Sequence, residues 1–315
     1  MSDKKKMGFF QKTKNMTDTN LLLAITMIVF FAMYIGAMIF EGKGFLKAQT
    51  FLNMLNANAA LIIASCGMSI VMITGSIDIS VGGVAALVSM CCAVYLDYHG
   101  GNVVTAIFIS LGIGLLFGLV QGYLVAYLDI QPFIVSLAGM FFARGMTTIV
   151  NTEPFNVQNE AFVKLKETRV IVPGLGSVNK LGKYVNAYVE IGVVVALILV
   201  IVLFCMLRWS KSGRNFYAVG GNQQSALMLG INVKKTKFMA HLLCSLLAGI
   251  GGFVYFMHVG SGSASHATGM EMNAIASSII GGTMLTGGVG NIIGTLFGVL
   301  SLSTVSYTHL TLPTI

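Results

Sequence analysis

Charge is what this chain of 315 residues lacks: Asp, Glu, Lys and Arg together make up 10% of it, while 56% is hydrophobic. Ordinary soluble domains carry about 25% charged residues, so a soluble enzyme, a secreted disulfide scaffold and a disordered chain are all excluded. A polytopic helical membrane protein remains. Acids are scarcer still, eleven against nineteen basic residues for a formal charge of +8. Basic residues beside apolar spans reflect membrane topology, so no nucleic-acid partner is needed to explain the excess. Paired cysteines are missing as well. Cys66, Cys91, Cys92, Cys205 and Cys244 lie inside apolar runs without a CxxC pair or a histidine at ligand spacing, which reads as packing and predicts no metal site. No GxxxxGK[ST] occurs, and no GxGxxG follows a soluble strand, so the chain has no nucleotide site or cofactor signature of its own. His241, His258 and His266 have no acid or cysteine at catalytic spacing and stay unassigned. The chain is not expected to be an enzyme. Energy for active transport has to come from a partner or an ion gradient.

Long apolar runs are what the sequence does have. Residues 21–40 are uncharged and follow a head with Lys4, Lys5, Lys6, Lys12 and Lys14. That run exceeds a signal-peptide core of about 7–15 residues, so it is read as a retained first helix with a cytoplasmic N-terminus. Further spans are expected near 54–76, 81–96, 103–128, 133–150, 187–207, 238–258, 272–286 and 289–305. That gives an all-α membrane bundle of about nine spans, each needing about 20 apolar residues to cross. Two of them, 81–96 and 272–286, are short and border glycine-rich breaks, which suits half-helices or tilted elements. Gly114, Gly118 and Gly122 form one GxxxGxxxG repeat, and Gly290, Gly294 and Gly298 another, each predicting close helix packing. Alternation puts 151–186 outside and 208–237 inside, leaving eleven basic residues inside against seven outside, in line with the positive-inside rule.

Asp78 in TGSIDISVGG (74–83) has two readings: an acid that binds a polar solute where a helix is interrupted, or a cap for the next helix. Arg144 in MFFARGMTT must face the bundle interior or an interface and is expected to form a structural ion pair or carbonyl clamp. Within 213–231, QQSALMLG reads as a short helix capped by Asn222. Rimmed by basic residues, it is a docking element for a soluble partner or an interfacial linker on acidic membrane lipid.

TGSIDISVGG resembles the GGIDLSVG signature of bacterial ABC-importer permeases for sugars, the group that includes ribose, xylose and galactose permeases. QPFIVSLAGMFFARG (131–145), YAVGGNQQSALMLGI (217–231) and MEMNAIASSIIGGTMLTGGVGNIIGTLFG (270–298) are similar to the same family in order and spacing, most closely to its galactofuranose-type permease. The resemblance spans nearly all of 20–300. It implies a ten-helix subunit that pairs with itself or a sister permease, two cytoplasmic ATPase subunits that bind the ATP, and a binding protein that delivers a monosaccharide. It makes Gly220, Gly221, Asn222, Ala226, Gly230 and Ile231 part of the ATPase-coupling helix in loop 208–237, and it places Asp78 and its neighbours near the translocation path. A hydroxylated solute calls for polar groups there, so Gly75, Ser80, Asn56, Asn58 and Ser136 join Asp78 as expected pathway residues.

Two departures from the family stand out. Asn273 occupies a position that is commonly acidic, while Glu271 remains. The last residues, VSYTHLTLPTI (305–315), abandon the apolar pattern. The expectation is therefore a basic segment over 1–20, a permease domain over 21–305, and a non-native tail over 306–315 in place of a tenth helix. Three rivals stay open: an ion-gradient-driven secondary transporter in the inner membrane, a membrane-embedded enzyme, and an ABC permease for another solute such as an amino acid.

Overall fold

A computed structural model describes residues 18–41, 47–178 and 184–311. The lysine head and residues 312–315 lie outside the described residues, so the expectations about the N-terminal segment and the end of the tail fall there. The helices in chain order are α1 (Asp18–Glu41), α2 (Ala48–Ile73), α3 (Val81–Tyr98), α4 (Val103–Ala126), α5 (Pro132–Val150), α6 (Glu160–Glu167), α7 (Ile191–Trp209), α8 (Lys211–Gly221), α9 (Gln223–Met228), α10 (Val233–Val259), α11 (Met270–Ile280) and α12 (Ile292–Thr311). The strands are β1 (Phe155–Asn156), β2 (Arg169–Val178), β3 (Tyr184–Glu190) and β4 (Ser261–Gly262).

Among the described residues seven helices, α1 to α5, α7 and α10, are long and apolar enough to cross a bilayer. The two short apolar runs resolve differently. Residues 81–96 extend into the 18-residue α3. The run 272–286 yields only the 11-residue α11, about 16 Å long and half of a bilayer core of about 30 Å. The glycine-rich stretch after it breaks the helix, with Gly282, Gly287 and Gly288 all at positive φ. The last apolar helix, over Ile292–Ser306, also falls short of a full span, although its backbone stays helical to Thr311.

The molecule is mostly helical, but the all-α expectation missed two small antiparallel sheets, β1 with β4 and β2 with β3. The expected span 187–207 starts later, at Ile191, because Tyr184–Glu190 pairs with Arg169–Val178 instead. Alternating YVNAYVE suits a strand, and the apolar run that follows it merges with it in any hydropathy window.

α2, α3 and α10 form the buried centre, and α1, α4, α5 and α7 surround it with mostly exposed apolar faces. Both glycine repeats serve close backbone approach. A Cβ on Gly118 would sit 2.9 Å from Leu242 Cα, and one on Gly114 would sit 2.7 Å from the Ser245 carbonyl, so α4 lies directly on α10. Gly294 and Gly298 press in the same way on the backbone of Gly281 and Ser277. Hydroxyls bridge the buried seam, with Ser69 Oγ 3.0 Å from Ser278 Oγ and 2.6 Å from Thr295 Oγ1. In an apolar medium such bonds, rather than hydrophobic burial alone, hold helices together.

The bundle has two distinct ends. At one, the base of the β2–β3 hairpin is tied to α2 through reciprocal bonds, Tyr188 N to Gln49 Oε1 at 2.9 Å and Gln49 Nε2 to the Tyr188 carbonyl at 3.3 Å. At the other end sit α8 and α9.

Candidate functional site

Three backbone segments meet beside α8. The amide of Gly288 donates to the Ile73 carbonyl at 2.9 Å, joining the end of α2 to the loop before α12. Gly220 packs into this joint so closely that a Cβ would fall onto the Ile73 carbonyl oxygen and within 2.6 Å of Gly288 N. Gly287 completes the contact, with its Cβ position 2.8 Å from both the Gly220 carbonyl and Gly75 N. The Tyr217 hydroxyl adds a 2.8 Å bond to the Gly290 carbonyl. Burial pushes the Tyr217 phenol above its ordinary range, partly offset by Arg208, so the hydroxyl keeps its proton for that bond.

Short polar residues cap the helices that follow. Ser210 Oγ accepts from Gly213 N at 3.0 Å to start α8, and Asn222 Oδ1 accepts from Ser225 N at 2.9 Å to start α9. On the inner side of α9, Ala226 is buried with Val219 and Val233, with Ile231 packed against them. Its outer side presents Leu227, Met228 and Leu229, and Met228 is 88% exposed. Gly230 turns the chain at φ +75. A groove of 570 Å³ beside it is lined by Asp129, Leu227, Asn232 and Lys237 among others. Gly221 has open space where a side chain would be.

From Ile73 the chain reverses into α3, and Asp78 organises the reversal. Its Oδ1 accepts from Ser80 N at 3.0 Å and from Ser80 Oγ at 2.6 Å, the local turn that short acids favour before a helix. Ser80 Oγ in turn accepts from Gln121 Nε2 of α4 at 2.9 Å. Ser245 Oγ lies 3.5 Å from Asp78 Oδ2, and the neighbouring Cys244 is buried. Asp78 and Ser80 are fully buried. His241 belongs to the same region, is also fully buried, and has no hydrogen-bond partner on either ring nitrogen.

Of the expected pathway residues, the fold joins Asp78 with Ser80, and Gly75 borders them at φ +77. Asn56 and Asn58 sit nearer the start of α2, and Ser136 is on α5, one turn before Gly139, whose Cβ position is 3.5 Å from Ser80 Cβ. Asn56 Oδ1 accepts from Glu190 N at 3.0 Å beneath the hairpin, Asn58 Nδ2 donates to Ser303 Oγ at 2.8 Å, and the buried Ser136 bonds its own helix at the Phe133 carbonyl. The sequence reading left out Gln121, His241, Cys244 and Ser245. The signal was present: 241, 244, 245 and 248 fall at i, i+3, i+4 and i+7, one face of a helix.

Arg144 lies farther along α5. Its two terminal nitrogens donate to successive carbonyls, Nη1 to His266 at 2.5 Å and Nη2 to Ala267 at 2.9 Å, and Glu271 Oε2 stands 4.0 Å from Nη2. Ala267 is held at φ +51, a conformation that costs a non-glycine residue about 1–3 kcal/mol. The guanidinium fork offsets that strain. Among the described residues no group of three His, Cys, Asp or Glu is placed to hold a metal ion.

Comparison with known proteins gives this architecture its relatives. The chain is 35% identical over 284 residues to the inner membrane ABC transporter permease protein YjfF of Escherichia coli, covering 90% of this chain and 82% of that one. It is 34% identical to the fructose import permease protein FruG of Bifidobacterium longum, over 77% and 70% of the two chains. The ribose import permease protein RbsC of Escherichia coli is 32% identical over 82% of this chain and 77% of its own. No solved structure matches. The profile described as "Branched-chain amino acid transport system / permease component" matches residues 50–312, and the chain therefore belongs to this family of multi-pass ABC-importer permeases, which carry solute and are not enzymes.

Proposed function

We propose that the chain is the membrane-spanning subunit of an importer that carries a monosaccharide across the bacterial inner membrane. Partner ATPase subunits would bind and hydrolyse the ATP, and a binding protein would deliver the sugar. The cargo class rests on the relatives named for ribose and fructose import, which favour a sugar over an amino acid. A second permease chain, identical or a sister, would complete the path.

The observation that carries the reading is α9 itself. It is a short helix with Leu227, Met228 and Leu229 exposed, mounted on α8, whose last turn is locked by backbone contact to Ile73–Gly75 and Gly287–Gly288. An ATPase gripping α9 would thereby push on the Asp78 turn and on the loop entering α12 together. Such grip does work only where the two states of the permease meet the ATPase differently. Gly220, Gly221, Asn222, Ala226, Gly230 and Ile231 divide this task. Gly220 transmits, Asn222 caps, Ala226 and Ile231 anchor α9, Gly230 turns the chain, and Gly221 faces the partner. Asp78, Ser80 and Gly75 hold the reversal beside the path, and Ser136 on α5 together with Asn56 and Asn58 nearer the other end of α2 would line the rest of it.

Topology follows the same reading. With the N-terminus cytoplasmic, strict alternation brings the ends of α2 and α8 and the loop after α11 to the cytoplasmic side, and their mutual contact supports that sidedness. The start of α2, the end of α10 and the β2–β3 hairpin then lie outside, supported by the 2.8 Å pair between His258 and Glu190. Counting α11 and α12, nine elements enter the membrane.

The test is co-purification of the ATPase subunit. Met228→Glu puts a charge on the outer face of α9 without touching its anchor. It should abolish ATPase association while leaving the thermal stability of the purified permease unchanged. Undiminished association would remove α9 as the docking element.

A further inference from the structure

After α10 the short strand β4 leads into residues 263–269, an irregular segment that runs along α3. A Cβ on Gly262 would lie 2.9 Å from Ala93 Cβ, His266 Nδ1 is 3.1 Å from Ser89 Oγ, and Glu271 Oε2 abuts Gly82. From Ala93 to Gly82 is about 16 Å of helix axis, half of the hydrocarbon core. Arg144, which grips this segment, is the thirteenth of the nineteen residues of α5, well inside the span.

Yet the segment is not sealed. Ser265 and Thr268 are exposed, as are Met272 and Asn273 on the first turn of α11. The side chains of Arg144 and Glu271 keep 22% and 12% of their surface. Irregular backbone and ionised groups at this depth do not face lipid; they border protein or a water-filled cavity. Glu271 Oε2 is buried against Gly82 and makes no hydrogen bond; the nearest guanidinium nitrogen, at 4.0 Å, is committed to the Ala267 carbonyl. The surface thus combines a partly exposed acidic side chain, an exposed amide and two hydroxyls, and the Arg144 cation is turned onto backbone. That suits an uncharged, many-hydroxyl solute.

We infer that the sugar passes along this surface, with Ser265, Thr268, Glu271 and Asn273 in contact with it. Arg144 is the positioning residue that holds the segment and the start of α11 in place. The inference rests on the importer reading and specifies which face of this chain the sugar meets. It also gives the fully buried Asp78 turn, just before α3, a bracing part.

The experiment uses the assembled importer in vesicles, with Cys91 and Cys205 replaced by alanine and one new thiol at Thr268→Cys, Asn273→Cys or, as a control on the exposed apolar face in the middle of α7, Ile201→Cys. The probe is a membrane-impermeant charged methanethiosulfonate added from outside, which reacts with the thiolate. A thiol in apolar surroundings stays protonated, so Thr268→Cys and Asn273→Cys should react about tenfold or more faster than Ile201→Cys, and their modification should stop uptake. Arg144→Lys keeps the charge but cannot fork across two carbonyls; it should change the labelling rate at Thr268→Cys severalfold. Thiols that label only when the chain is expressed without its partners would mean a dry seam between chains, and the inference fails. Labelling without loss of uptake would also overturn it. ATP-dependent uptake by the unsubstituted assembly is measured in parallel: its absence sinks the importer reading, while the labelling pattern still judges the water-lined path.

Discussion

Two adjacent glycines offer a sharp test of the junction beneath α8. Replacing either by alanine gains the same intrinsic helix propensity, up to about 1 kcal/mol. Their surroundings differ completely. At Gly221 a Cβ enters open space; at Gly220 it falls onto the Ile73 carbonyl oxygen and within 2.6 Å of Gly288 N. Both obstructing atoms are backbone, and they are bonded to each other at 2.9 Å, so no side chain can rotate away. Overpacking of this kind costs about 1–3 kcal/mol, and relief by parting Gly288 from Ile73 forfeits a buried hydrogen bond worth about 1–3 kcal/mol when left unmade. Net of the propensity gain, Gly220→Ala should lose about 1–5 kcal/mol, and Gly221→Ala should be neutral or slightly stabilised. The assays are thermal unfolding of the detergent-purified permease and ATP-driven uptake in vesicles. Gly220→Ala should fail in both. If it matched Gly221→Ala in both, rigid backbone transmission through this junction would be refuted.

Further predictions follow the same logic. Arg144→Met strips two carbonyls of their donor and leaves Glu271 uncompensated, which should cost about 2–4 kcal/mol, read as a lower unfolding temperature; the double variant with Glu271→Gln should recover part of it. Gly118→Ala meets Leu242 Cα at 2.9 Å, whereas Gly112 on the same helix has nothing within 4 Å. Only the first should lower thermal stability, by about 1–3 kcal/mol. Tyr217→Phe removes the bond to the Gly290 carbonyl and should cost about 1 kcal/mol, with uptake reduced more than stability if the junction carries motion. Asn222→Ala uncaps α9 for about 1 kcal/mol and should weaken ATPase association without altering the transmembrane core.

Much of the architecture was legible because the bilayer imposes few solutions. Scarcity of charge declared the solvent, and apolar runs located the long helices to within a few residues at most ends. GxxxGxxxG announced the backbone approach of α4 to α10, and Asn222 caps α9 as its position before QQSALMLG suggested. What failed to show was tertiary. The 272–286 run reads as a span by hydropathy, but the helix ends after Ile280, and Gly282, then Gly287 and Gly288 just beyond the run, take positive φ. The strand at 184–190 hides against the apolar start of α7. His241 looks like a lone histidine until α10 is laid beside the Asp78 turn, although its i+3 and i+4 neighbours Cys244 and Ser245 mark a polar face. The Arg144 clamp was anticipated in kind, but no spacing rule points from residue 144 to carbonyls at 266 and 267. The separation of Asn56 and Asn58 from Asp78 likewise needed the fold, since amides in apolar spans carry no address.

The central claim is that this chain moves a sugar only when coupled to ATP-hydrolysing partners. The direct measurement is uptake of radiolabelled ribose, fructose and galactose into proteoliposomes holding the purified permease. Uptake is compared with and without the ATPase subunits, the binding protein and internal ATP, and under an imposed proton or sodium gradient. The account predicts uptake of at least one sugar only when every component and ATP are present. Gradient-driven uptake by this chain alone, in the absence of ATP, would contradict it.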